Sequence, residues 1–305
     1  MRGPFIKTLV EIAERDPRIL LLTGDMGYMA VEPFSEKFAE RFLNVGVAEQ
    51  DMIGLATGLA EAGYIPFVYS IVPFAVLRPY EFIRNGPILH QFPVRIVGTG
   101  GGLEYSTNGA SHYGLEDVGV LRMQPGITVI APADYEQART ALLASWNLPG
   151  PVYYRLGKDD RTVVPGLGGQ FELGHVQFIH QGTDIVMIAM GSIASEAVKA
   201  VESLATQGVS CALVVVADLN PAPTADLVKA LSSFRVALTV ESHYVVGGIG
   251  SLVSEVIAEG GLPCKVIRCG VRTLPTGITG SQNYMLYMHG LTGEQLAATA
   301  LEALR

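Results

Sequence analysis

Short, strongly apolar runs alternate along this chain with stretches whose apolar residues recur at helical spacing. Phe5, Leu9, Ile12 and Ala13 mark one face of a helix over residues 5–14, and the run Ile19 to Leu22 reads as a buried strand. The same alternation predicts a helix at about 48–62, a strand from Ile65 to Tyr69, a helix over 73–85 and a strand from Val94 to Val97. A strand from Thr128 to Ile130 and a helix over about 134–146 follow. Strands this apolar have both faces covered, which implies a mostly parallel sheet whose ligands sit at the strand carboxyl ends.

Between Lys158 and Gly182 the texture changes to Asp159-Asp160-Arg161 and then Pro165-Gly166-Leu167-Gly168-Gly169, the composition of a domain boundary. A second α/β unit is predicted beyond it, smaller and self-contained. Its strands run from Ile185 to Met190, Cys211 to Val216, Val236 to Val240 and Lys265 to Cys269, with helices near 193–207, 224–232 and 248–259. A chain of 305 residues fits two domains of ordinary size, and the expected division is 1–165, a linker over 166–182, and 183–305.

Composition narrows the function classes. Hydrophobic residues make up 49% of the chain and charged residues 16%, so a large apolar surface must be buried within it or against other chains, and disorder is excluded. A formal charge of -8 with no Lys/Arg cluster argues against nucleic acid, whose phosphates need local positive charge. Cys211, Cys264 and Cys269 form neither a disulfide framework nor a metal-ligand pattern, which suits a reducing cytoplasm. Met1 to Arg18 lacks the apolar region of a signal peptide and no later stretch is long enough to span a bilayer, so a soluble chain without membrane contact is expected.

The strongest local signal is Asn44-Val45-Gly46-Val47-Ala48-Glu49-Gln50, where Glu49 stands in the first turn of a helix and shares a face with Ile53, Ala56 and Ala60. Such an acid is either a solvated group facing the helix dipole or a desolvated one with a raised pKa, and spacing alone favours the first. Gly54 and Gly58, four apart on that helix, mark either a close backbone approach or two tolerated glycines.

NVGVAEQ, GLATGLAEAGYIPFVY and PFAVLRPYEFIRN resemble the pyrimidine-binding domain of transketolases, and the resemblance extends over essentially the whole chain. It implies two doubly wound α/β domains, a pyrimidine-binding thiamine-enzyme domain with a mostly parallel sheet and a smaller transketolase C-terminal-like domain. It implies that Glu49 matches the acid that hydrogen-bonds N1' of thiamine's aminopyrimidine, and that Phe74 matches the ring that stacks on it. Many transketolases carry further aromatics where this chain has Ile71 and Leu77, so a more aliphatic pyrimidine pocket is expected. Asp25 corresponds to a family aspartate near the cofactor, although a loop acid capping a helix is an equally ordinary role.

The loop from Gly98 to Asp117 resembles the family's substrate-facing loop. His112 matches a histidine that contacts the sugar's carbonyl or hydroxyl; Asn108 stands where the family has Asp, and Gly100 where many members have a second His. Arg155 matches an arginine that binds the sugar phosphate, Arg2 falls near another, and Met29 replaces a phosphate-contacting serine. The stretch Glu241-Ser242-His243 with Gly247, Gly248 and Gly250 reads as packing rather than a nucleotide site.

One part of the family's equipment is missing. Thiamine enzymes hold the diphosphate through Mg²⁺ or Ca²⁺ with a GDG motif in a separate pyrophosphate domain, and this chain has no GDG; Gly24-Asp25-Met26 lies in the wrong half. The resemblance therefore implies a partner, an N-terminal transketolase subunit that holds the metal, in an α2β2 heterotetramer. The expected activity is transfer of a two-carbon ketol unit between sugars. The alternatives are the β subunit of a 2-oxoacid dehydrogenase or a hybrid passing the unit to a lipoyl or carrier-protein thiol, and, from a different class, a non-catalytic scaffold.

Overall fold

The computed structural model describes residues 1–274 and 277–305. Twelve strands are present: β1 (Ile19–Thr23), β2 (Phe42–Asn44), β3 (Ile65–Ile71), β4 (Arg95–Thr99), β5 (Thr128–Ile130), β6 (Val152–Leu156), β7 (Gln177–His180), β8 (Ile185–Met190), β9 (Cys211–Val215), β10 (Asp218–Asn220), β11 (Val236–Tyr244) and β12 (Lys265–Val271). They form a seven-stranded sheet in the order β10-β5-β6-β4-β3-β1-β2 and a five-stranded sheet in the order β12-β11-β8-β9-β7. Among the described residues the antiparallel strand pairs are β10 on β5 and β7 on β9.

Every residue of β1, β3, β4 and β6 is buried, as a sheet with helices on both faces requires. Phe5 and Leu9 from the helix Arg2–Ala13 pack with Leu142 of the helix Tyr135–Ser145 on one face. Met52, Ile53 and Ala56 of the helix Glu49–Glu61 cover the other, in a core that continues through Val129 and Leu219 to Val186 of the second sheet and Ile249 of the helix Ile249–Gly260.

Three features depart from the sequence expectation. The second unit is not self-contained, because β10 leaves it to pair with β5 at the edge of the first sheet. The expected helix over 73–85 is broken into Val72–Val76, Tyr80–Ile83 and a wider turn over Arg84–Ile88. Pro79 and Pro87 lack the amide hydrogens that a continuous helix would use. The PVYYRLG stretch, expected only to present an arginine, forms β6 in the middle of the sheet.

Gly54 and Gly58 are exposed, and no backbone approaches either among the described residues. The Gly-rich turn before the helix Ile249–Gly260 is filled from within: Glu241 accepts hydrogen bonds from the Ile249 and Gly250 amides at 2.9 and 3.0 Å, where an anion would bind.

Candidate active site

Two loops meet over the carboxyl ends of β1 and β2. Asn44, closing β2, accepts from the amides of Asp25 and Gly46 at 3.0 Å each and donates to Asp25 Oδ1 at 3.1 Å. Asp25 thus stands exposed at the rim, tied to Asn44 with a left-handed backbone (φ 58°). Beneath this pair Gly24 lies against Gly46 and Glu49, where a Cβ would come within 3.1 Å of the Gly46 carbonyl.

Glu49 opens its helix from this floor and is 1% exposed, so the carboxylate is desolvated rather than solvated at the helix start. Oε2 accepts from Arg78 Nη1 at 2.7 Å, and Oε1 has no hydrogen-bond partner among the described residues. A buried carboxylate is stable only when paired, and the half-exposed Arg78 supplies that charge.

Phe74, on the helix after β3, is half-buried with the Arg78 guanidinium 4.3 Å over its ring and the His112 imidazole edge-on at 5.2 Å. Ile71 ends β3 in the interior, and Leu77 is partly buried one turn on. Glu49, Phe74 and His112, far apart in sequence, are linked through three side-chain contacts, the first two of them made by Arg78. His112 is held by Ser111 Oγ at Nδ1 (3.0 Å), and its Nε2 has no partner among the described residues.

The loop bearing His112 closes as a bridge, with Gly102 and Gly114 exchanging hydrogen bonds at 2.8 and 2.9 Å. Glycine is required at 102, since a Cβ there would run into Ser242 of the second domain. The loop is also tied to that domain by Ser106 Oγ to the Gly280 carbonyl (2.8 Å) and the Tyr113 hydroxyl to the Ile278 carbonyl (3.2 Å). At Gly100, with φ 76°, the volume a side chain would fill is taken by the Tyr105 ring. Lys158 Nζ stands 4.5 Å over that ring, and Arg2 Nε donates to the Lys158 carbonyl at 3.2 Å. Near Arg2 and Tyr105 the Tyr69 and Thr99 hydroxyls are buried without hydrogen-bond partners among the described residues. Asn108 is exposed on the same loop, its Oδ1 accepting from Thr107 Oγ1 at 3.3 Å and from no other group among the described residues.

The structure corrects the expectation for Arg155. Its guanidinium is buried, with Nε donating to Asp117 Oδ2 at 2.8 Å and Nη2 to the carbonyls of Gly114 (2.8 Å) and Ser242 (2.9 Å). Tyr153 donates to the same Asp117 oxygen at 2.7 Å. An arginine committed to a buried carboxylate and two carbonyls has no fork to offer a phosphate. It clamps the base of the His112 loop to the second domain.

Arg78, Tyr105 and Lys158 were not singled out from the sequence. The spacing of Phe74 and Arg78, four apart, was a usable signal that they share a helix face. Nothing in the pattern announced that Tyr105 would fold back over Gly100. Among the described residues, no group of three or more His, Cys, Asp or Glu side chains is placed to ligate an ion, and no helix is long and apolar enough to cross a membrane.

The arrangement offers a buried carboxylate with one unpaired oxygen, an aromatic ring beside it and an imidazole beyond, a seat fitting a flat heterocycle that carries a ring nitrogen and an amino group. Comparisons with known proteins give the family. Residues 1–162 match the pyrimidine-binding domain of transketolase, and residues 174–296 match the transketolase C-terminal domain. The chain is 35% identical to a putative transketolase C-terminal section of Methanocaldococcus jannaschii, covering 100% of this chain and 96% of that one. It is 33% identical to the 6-deoxy-6-sulfo-D-fructose transketolase subunit SqwH of a Clostridium species, covering 99% and 94%. A solved split-gene transketolase, described as an inactive β4 tetramer, superposes with a TM-score of 0.90 at 33% identity, covering 99% of this chain and 97% of its own.

Proposed function

This chain belongs to the transketolase family, and on that premise we propose that it is the C-terminal subunit of a split, thiamine-diphosphate-dependent transferase that moves a two-carbon ketol unit from a ketose donor to an aldose or another acceptor. The observation that carries this reading is Glu49, a buried carboxylate held beside a partly open aromatic ring at the strand ends of a pyrimidine-binding fold.

Thiamine diphosphate, when bound, supplies the electron sink for cleaving and forming the carbon–carbon bond. In this chain Glu49 Oε1 holds and moves the proton at the pyrimidine N1', and burial keeps water from competing for it. Phe74 presents its ring to the pyrimidine, with Ile71 and Leu77 as aliphatic walls and Asp25 at the rim. His112 Nε2 hydrogen-bonds a substrate oxygen, and Asn108, with Gly100 and Tyr105, shapes the way in.

With Arg155 committed elsewhere, Arg2 and Lys158 remain to grip an anionic end of the donor, and the Tyr69 and Thr99 hydroxyls, unpartnered among the described residues, lie near Arg2. The name of the sulfo-sugar relative fits a donor ending in phosphate or sulfonate. Lys158→Gln is therefore expected to raise KM for anionic ketoses about tenfold, roughly the 1–2 kcal/mol of a charge-assisted hydrogen bond. Steady-state kinetics against a neutral hydroxyketone, whose KM stays within about twofold, checks this; equal effects on both donors remove Lys158 from the anion grip.

The diphosphate and its Mg²⁺ or Ca²⁺ belong to an N-terminal subunit in this reading, and an α2β2 heterotetramer is the proposed assembly. Tyr28 at 84% and Met29 at 81% exposure on the loop after β1, and Val47 just before Glu49, are exposed apolar side chains that a partner chain would bury. The cysteines are free and buried, consistent with a cytoplasmic setting. The relatives that match over nearly their whole length carry transketolase names, which favours this reading over a 2-oxoacid dehydrogenase subunit, and no observation supports a lipoyl acceptor. Mixing the chain with its N-terminal subunit, thiamine diphosphate and Mg²⁺ should yield an aldose two carbons shorter than the ketose supplied. No such product from any ketose phosphate or sulfonate would overturn the proposal.

A further inference from the structure

Glu49 and Phe74 are both already occupied, and by one side chain. Arg78 Nη1 donates to Glu49 Oε2 at 2.7 Å while its guanidinium carbon lies 4.3 Å above the Phe74 ring. The backbone makes this possible: the helix Val72–Val76 runs into Leu77 and Arg78, whose amides both bond to the Pro73 carbonyl, so Phe74 and Arg78 project from the same face. A guanidinium is flat, donates hydrogen bonds from its edge and stacks on aromatic rings. Those are the two contacts an aminopyrimidine would make with this carboxylate and this ring. A flat group already in contact with one face of Phe74 excludes a second from that face.

We propose that Arg78 is a placeholder in the cofactor's seat, neutralising Glu49 and covering Phe74 until the pyrimidine displaces it. This rests on the roles given above to Glu49 and Phe74. Two physical facts favour a displaceable contact over a fixed one. Glu49 is buried and no other cation reaches it among the described residues, so the unliganded chain needs a substitute partner. Arg78 is 39% exposed, unlike the buried Arg155, so its head swings into water without stripping hydration from a committed charge. The seat is then available only for the fraction of time that Arg78 is out, and the apparent affinity for the cofactor falls by that fraction.

The test uses the complex of this chain with its N-terminal subunit, titrated with thiamine diphosphate and Mg²⁺ by calorimetry and mixed in stopped flow. Arg78→Ala is expected to bind the cofactor about tenfold tighter, mainly through faster association, as for a seat open about one-tenth of the time in the parent. Arg78→Met, which keeps the apolar stem, should show the same gain if truncation to Ala perturbs the fold. In a Glu49→Gln background, where there is no carboxylate to neutralise, the gain should shrink to about twofold or less. Unchanged or weaker binding in both Arg78 variants would overturn the placeholder and make Arg78 either a ligand of the cofactor or a bystander. A parent complex that binds no thiamine diphosphate would instead overturn the assignment of the site itself, and the two failures are thereby distinct.

Discussion

Glu49→Gln in the assembled enzyme is expected to lose turnover by about 10²–10⁴-fold, the range for removing a positioned acid–base group. The substitution is nearly isosteric: the amide oxygen still accepts from Arg78, and a neutral amide is easier to bury than a carboxylate, so folding and assembly should be intact. What is lost is the ability to hold and release a proton at the pyrimidine nitrogen. Steady-state assay of the reconstituted complex, with its mass and melting temperature measured alongside, separates the two effects. Full activity in a properly assembled Glu49→Gln complex would remove Glu49 from the mechanism.

The second large effect concerns Arg155 and falls on stability. Arg155→Met leaves Asp117 buried with only the Tyr153 hydroxyl, takes the arginine's donor from the Ser242 carbonyl, and leaves the Gly114 carbonyl with the Gly102 amide alone. Breaking one side of a buried ion pair costs about 3–5 kcal/mol, which for a chain of this size lowers the melting temperature by on the order of 10 °C. Pairing it with Asp117→Asn should recover part of the loss, because the remaining buried charge is removed as well. A phosphate ligand would behave in the opposite way, with an unchanged melting temperature and a raised KM for anionic donors. Calorimetric scans and donor kinetics on the same variant distinguish the clamp from the ligand.

Arg155 also shows where sequence reasoning runs out. The alternation of apolar runs and helical faces was sufficient for the strands that are buried on both sides, such as β1, β3 and β8, because a fully covered strand has no choice but to be apolar. It was insufficient for β6, where no strand was expected over Val152–Leu156 and Arg155 was matched to a phosphate ligand by resemblance. Burial of that charge is decided by Asp117, 38 residues away in sequence, and by a carbonyl from the other domain. The three-residue β10 was invisible for a related reason, since a short strand that crosses between sheets has no periodicity of its own.

The candidate site divides in the same way. Glu49 and Phe74 were legible because they sit in compact motifs, and His112 because its loop is glycine-rich at positions where Ser242 and Val72 leave no room for a Cβ. The Glu49–Arg78 pair, the ring of Tyr105 over Gly100 and the approach of Lys158 to Arg2 are tertiary contacts, set by how the broken helix after β3 and the loop after β4 fold back. Met29 keeps a left-handed backbone in the loop after β1 and is exposed.

The central claim is that this chain holds half of a thiamine-diphosphate site and is completed by another subunit. Calorimetric titration of thiamine diphosphate and Mg²⁺ into this chain alone, and then into its mixture with the N-terminal subunit, tests it most directly. Tight binding in the mixture and none by the lone chain is the predicted result; tight binding by the lone chain would contradict the account.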